Sequence, residues 1–208
     1  MTLALDEVSL SGDLTMPEEA TGVVLFAHGS GSSRQSPRNR EVALTLNDAG
    51  FGTLLLDLLS QDEDAIDART GRLRFDIPLL AQRVIAATDW LSAHPETASL
   101  PIGYFGASTG AAAALVAAAE RVDKVRAIVS RGGRPDLAAG ALARVRTPTL
   151  LIVGGRDSAV IPLNRDALAE LRPEKALEIV PAATHLFEEP GALEQVAVLA
   201  RDWFARHL

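Results

Sequence analysis

The chain has no cysteine among its 208 residues, which excludes disulfides, thiolate metal ligation and thiol nucleophiles. Only four histidines are present, too few for a dedicated His-rich metal cage. Neither a metal nor a cofactor is expected. No uncharged apolar run approaches the roughly 20 residues of a membrane-spanning helix, so a soluble protein with no membrane partner is expected. The opening segment MTLALDEVSL lacks a basic region and meets Asp6 and Glu7 before an apolar core of signal-peptide length could form. A cytoplasmic location is the corresponding expectation. Basic residues are the minority, 20 against 27 acidic, for a net charge of −7, which disfavours nonspecific nucleic-acid binding.

What remains is a chain rich in apolar runs, long enough for one well-buried core, and residues 1–208 read as a single domain. Runs bounded by glycine and proline alternate with helical patterns, the mark of a mostly parallel sheet covered by helices on both faces. Residues 3 to 16 read as a hairpin turning near Ser11, Gly12 and Asp13. Strands follow in GVVLFAHGS, GTLLLDLL, IGYFGAS, VRAIVS, PTLLIVGG and ALEIVP. Ser36 and Pro37 read as the start of a helix that Gly50 stops. From Asp76, apolar positions 77, 80, 84, 87 and 91 step by three and four, as an amphipathic helix requires. A similar face follows Pro190.

The stretch IGYFGASTGAAAAL places Ser108 between Gly106 and Gly110, after an apolar strand and before a strong helix former. This is the G-x-S-x-G elbow, in which a strained turn lifts a serine hydroxyl above a sheet and glycines let the strand and helix pass closely. A glycine-rich turn without chemistry has the same local pattern. Order discriminates between the two, because hydrolases built on this elbow carry Ser, then an acid after a later strand, then a histidine near the C-terminus. Asp157 follows PTLLIVGGR and His185 lies in the loop after the last strand. Asp57 and Asp136 also follow strands and are alternative acids. His94 and His207 sit near helix ends and His28 belongs to another motif, which leaves His185 as the candidate base.

An oxyanion hole needs two backbone donors. The N–H of Thr109 at the helix start and that of Ser30 in LFAHGSGSSR are the candidates, with Gly29 and Gly31 permitting close approach. A dinucleotide loop is the competing reading of Gly29-Ser-Gly31. The third glycine of that motif is replaced by Arg34, and no Walker lysine is present.

In these residues the chain resembles the α/β-hydrolase superfamily and, more narrowly, the small lid-free branch similar to dienelactone hydrolases. The glycine loop, the elbow, Gly-Gly-Arg-Asp and Ala-Thr-His-Leu-Phe match in order across nearly the whole chain. It departs from those hydrolases in the nucleophile, a cysteine there and Ser108 here. The stretches HGSGSSR and SRGGRPDLA are also similar to hydrolases sometimes fused to phosphoribosyltransferase-like domains. The resemblance implies an α/β-hydrolase fold, mostly parallel and flanked by helices, without a large lid, because only residues 131 to 147 separate two of the strands.

The expected function is hydrolysis of small carboxylic esters, including carboxylate-bearing or lactone substrates, through Ser108, His185 and Asp157 and an acyl-enzyme. The alternative is a hydrolase-like binding or partner domain for an anionic, nucleotide-related ligand. Candidate substrate contacts are His28, Gly29, Gly31, Arg34, Arg74, Arg131 and Arg134, with Arg38 on the same rim. A rim of guanidiniums selects carboxylate or phosphate, unless these arginines pair with Asp62, Glu63, Asp64, Asp67 or Asp136 as structural bridges. The expected partner is a small-molecule ester; oligomeric state is not legible.

Overall fold

The computed structural model describes residues 1–5 and 8–208. Among these, eight strands form one sheet in the order β1-β2-β4-β3-β5-β6-β7-β8. They are β1 (Thr2–Leu5), β2 (Val8–Thr15), β3 (Gly22–Ala27), β4 (Phe51–Leu56), β5 (Ile102–Ala107), β6 (Val125–Arg131), β7 (Thr149–Gly154) and β8 (Lys175–Val180). The pairs β1–β2 and β2–β4 are antiparallel and all others parallel.

The helices are α1 (Pro37–Asp48), α2 (Gln61–Thr70), α3 (Ile77–Ala93), α4 (Thr109–Glu120), α5 (Val160–Glu170) and α6 (Ala192–His207), with 3-10 turns at Leu73–Phe75 and Pro135–Arg144. Side chains alternate across each strand, so adjacent residues feed different cores. Val23, Leu25, Tyr104 and Ile128 join α3 and α4 on one face. Val24, Phe26, Phe105 and Val129 join α1 and α6 on the other. Strands buried on both faces explain the uninterrupted apolar runs. The 3-10 turn at Pro135–Arg144 packs against α4 and α5, and it is the only regular element between β6 and β7 among the described residues.

The N-terminal hairpin exists, but its expected turn is corrected. Ser11 pairs with Thr2, and Gly12 and Asp13 pair with Leu56 and Leu55, so all three lie inside β2. Gly12 is a packing glycine: a Cβ there would meet Leu3 and Leu54 side chains at 3.0 and 3.1 Å. The connection between β1 and β2 falls on Asp6 and Glu7, outside the described residues. The helix starts behave as the sequence predicts, with Ser36 and Asp76 side chains accepting from the N–H groups of Asn39 and Leu79.

Strand β3 lies between β4 and β5, so the chain leaves it toward one side and later returns on the other. The crevice at the carboxyl ends of such diverging strands is where open α/β sheets bind ligands. The loop after β3 and the turn after β5 therefore face each other.

Candidate active site

The turn after β5 holds Ser108 at φ 50° and ψ −119°, a conformation costing a non-glycine residue on the order of 1–3 kcal/mol. Three backbone bonds hold it there. The Ser108 N–H donates to the Arg131 carbonyl at 3.2 Å, and the Ser108 carbonyl accepts from Ala111 and Arg134 at 3.1 Å each. The flanking glycines are sterically required: a Cβ at Gly106 would strike the backbone of Ala111, and one at Gly110 the carbonyls of Ala27 and His28. The elbow is thus wedged between the end of β3 and the start of α4.

Asp157 and His185 meet through a bond of 2.6 Å between Asp157 Oδ2 and His185 Nδ1. The Asp157 side chain is 10% exposed and that of His185 38%, so the imidazole has one face to solvent. Gly154 and Gly155 permit the meeting. A Cβ on Gly154 would collide with the carbonyls of Ala183 and Thr184, while Gly155 and Arg156 donate to Val180 and Ala183 at 2.8 and 2.9 Å. On both sides of His185 the loop takes positive φ, at Ala182 and Phe187. It is tied by Glu189, whose carboxylate accepts from the Thr184 N–H at 3.0 Å. That bond holds the Glu189 pKa below its usual range. Gly132, the residue after β6, lies against this loop, where a Cβ would stand 3.4 Å from His185 Cε1. Ser108 and His185 therefore flank the same β6 turn. Among the described residues no hydrogen bond joins Ser108 Oγ to His185; bonds of this kind commonly tighten only once substrate is seated. The alternative acids are occupied elsewhere, Asp57 with Arg34 and Asp136 with Arg134.

His28 organises the loop after β3. Its Nε2 accepts from the Leu58 N–H at 3.1 Å, which leaves Nδ1 protonated and donating to the Gly29 carbonyl at 2.9 Å. The Ser32 N–H reaches that carbonyl at 3.2 Å. In a trans peptide N–H and C=O point oppositely, so fixing the Gly29 carbonyl turns the Ser30 N–H the other way. Among the described residues neither the Ser30 nor the Thr109 N–H has an internal acceptor. Gly29 abuts the nucleophile candidate, a Cβ there lying 3.1 Å from Ser108 Cβ. His28 is half-buried, and desolvation pushes its pKa below 6.5. It is a neutral strut.

A cleft of about 1040 Å³ opens beside this loop, lined among others by Ser30, Arg34, Asp57, Ser60, Arg74 and Thr109. Its arginines are tied down. Arg34 Nη1 pairs with Asp57 at 2.5 Å and its Nε with Asp13 at 3.4 Å. Arg74 Nε pairs with the buried Asp67 at 2.5 Å; burial raises the Asp67 pKa, but Arg74 and two backbone N–H groups outweigh it and hold the acid below its usual range. Arg134 does not line the cleft and pairs with Asp136 at 2.7 Å. Arg131 differs, because its guanidinium is buried on the face shared with α1 and Phe187. No local motif marks Glu189 as an anchor of the histidine loop, and Phe187, which ends the Ala-Thr-His-Leu-Phe segment, carries no sign of this role in the sequence.

A family model described as the dienelactone hydrolase family matches residues 10–206. A dienelactone hydrolase from Anabaena variabilis ATCC 29413 superposes with a TM-score of 0.98 at 62% identity, covering 100% of this chain and 96% of that one. Est1E from Butyrivibrio proteoclasticus gives 0.83 at 17% identity, over 99% of this chain and 97% of that one, a likeness of fold alone. A Mycobacterium tuberculosis protein named as a phosphoribosyl transferase is 61% identical over 201 residues, which make up 97% of this chain and 44% of that protein. The chain thus spans less than half the length of the curated relatives it matches. The architecture is the α/β-hydrolase fold. No helix among the described residues is long and apolar enough to cross a membrane.

Proposed function

We propose, from the premise that the chain belongs to the dienelactone hydrolase family, that it cleaves small carboxylic esters with Ser108 as nucleophile. The observation that carries this reading is the 2.6 Å bond between Asp157 and His185 beside a serine held at positive φ. With Nδ1–H directed at the carboxylate, His185 keeps its Nε2 lone pair free to accept a proton. Ser108 Oγ attacks the ester carbonyl carbon as its proton passes to Nε2, and the carbonyl electron pair moves onto oxygen. The Ser30 and Thr109 N–H groups receive that oxyanion. Its collapse breaks the ester C–O bond, and the alkoxide leaves with the proton from His185. Water, deprotonated by the same nitrogen, then attacks the acyl-enzyme and releases the acid. Asp157 keeps the ring oriented and stabilises the imidazolium without taking the proton.

Hydrolysis of short p-nitrophenyl esters by the native chain and by Ser108→Ala tests this. The substitution is expected to lower turnover by on the order of 10³-fold or more and to abolish covalent labelling by a fluorophosphonate. Equal turnover by the two chains would remove Ser108 from the mechanism.

The relative that is about twice as long favours a second reading, in which the chain is a binding module of a larger protein. In that case native chain and variant alike turn over no ester, thioester or lactone.

A further inference from the structure

Among the described residues, Arg131 is a buried guanidinium with no carboxylate partner. Arg131 ends β6 and is only 8% exposed. Its Nη2 reaches Asn39 Oδ1 at a long 3.4 Å, and its Nε and Nη1 are buried with no acceptor among the described residues. Phe187 lies alongside, 5.9 Å from the guanidinium carbon to the ring centroid. Burial, assisted by the like charge of Arg38, pushes the Arg131 pKa down to about 10, so it stays charged at neutral pH. Arg38 stands beside it in the first turn of α1. Its Nη1 donates to the exposed Glu188 at 3.2 Å, but its Nε is also buried without an acceptor.

A buried cation without a partner is among the costliest arrangements in a folded chain. Two arginines converge on the amino end of α1, where Ser36 already caps the Asn39 N–H and only the Arg38 N–H lacks an acceptor among the described residues; with the positive end of the helix dipole, they form an environment that favours an anion. Arg34, Arg74 and Arg134 each hold a carboxylate of this chain, whereas Arg131 holds none among the described residues. Arg38 also lines the cleft.

We propose that Arg131, Arg38 and the first turn of α1 form a binding site for a small oxyanion, phosphate or carboxylate, behind the histidine loop. The site is separate from the oxyanion hole and does not depend on the ester-hydrolase reading, because it exists whatever Ser108 does. It touches the active site mechanically. The Arg131 carbonyl holds the Ser108 N–H, and Phe187 stands two residues beyond His185. Filling the site would brace both.

A ligand that binds only the folded chain raises its Tm along a saturating curve. The test is Tm against potassium phosphate and potassium acetate, each compared with potassium chloride at matched ionic strength, for the native chain, Arg131→Met and Arg38→Gln. A saturable rise above chloride is expected for the native chain; the salt producing it identifies a tetrahedral or a carboxylate ligand. Arg131→Met should lose the rise while melting no lower than the native chain in chloride, because an uncompensated buried charge has become an apolar side chain. Arg38→Gln should raise the half-saturating concentration about tenfold, as loss of one charge-assisted hydrogen bond does. It serves as the deciding variant if Arg131→Met does not fold. Native Tm values that match chloride in both other salts, or an undiminished rise in the variants, would overturn the proposal.

Discussion

At the residue scale, His28 links stability to loop geometry. Burial is the largest influence on its pKa and lowers it; the Gly29 carbonyl, Asp57 and Asp64 act in the opposite sense and do not prevail. The folded chain thus holds this proton more weakly than the unfolded chain does. Between the folded pKa and 6.5 the unfolded state binds more protons, so the His28 contribution is complete above pH 6.5 and is lost as pH falls from there through the folded value. Replacing His28 with Gln keeps an acceptor for the Leu58 N–H and removes the titration. The expected result is a smaller Tm loss between pH 7.5 and pH 5.5 in His28→Gln than in the native chain; equal losses would mean that His28 is not a neutral strut. Parity along a strand governs Arg131 in the same way. It stands at an even spacing from Ala127 and Val129 and shares their face toward α1 and α6, whereas a reading of motif order alone groups it with the arginines of the cleft rim.

At the scale of elements, the site depends on how closely three loops approach one another, and glycine decides this at Gly110. A Cβ there would overlap the carbonyls that end β3, so Gly110→Ala should push α4 away from β3 and lower stability by about 1–3 kcal/mol together with turnover. Gly140→Ala is the control, since no atom lies within 4 Å of a Cβ at that position and neither quantity should change. Urea melts and ester turnover of the two variants check this, and equal effects would contradict the close-approach account. The glycines of the elbow and acid turn were legible because local sequence carries their steric role. Helix α2 was not, because QDEDAIDART has no apolar stripe and its Ile66 is exposed. The helix is held by the reciprocal Ser60–Glu63 capping box and by Asp67 folding back onto Arg74. Helix α5 carries Pro162 inside its first turn, a position helices tolerate but one that reads as a break.

At the scale of the molecule, apolar runs and their order were enough to anticipate a parallel sheet covered on both faces, since burial on two sides leaves a direct trace in sequence. The N-terminal turn was misread because Gly12 serves packing within a strand, and only the register with β4 shows that. Among the candidate acids, the pairing partners differ. Asp57, Asp136 and Asp157 all follow strands; Arg34 reaches Asp57 across 23 residues, a pairing that only the fold reveals, whereas Arg134 claims Asp136 from two residues away. The proposed function turns on one chemical event, transfer of an acyl group to Ser108. Its most direct test is rapid mixing of the native chain with p-nitrophenyl acetate, followed by intact and peptide mass measurement of the quenched protein. The account predicts a p-nitrophenolate burst of about one equivalent, an acetyl adduct mapped to the peptide containing Ser108, and neither in Ser108→Ala. Turnover without burst or adduct, or an adduct that persists in Ser108→Ala, would contradict it.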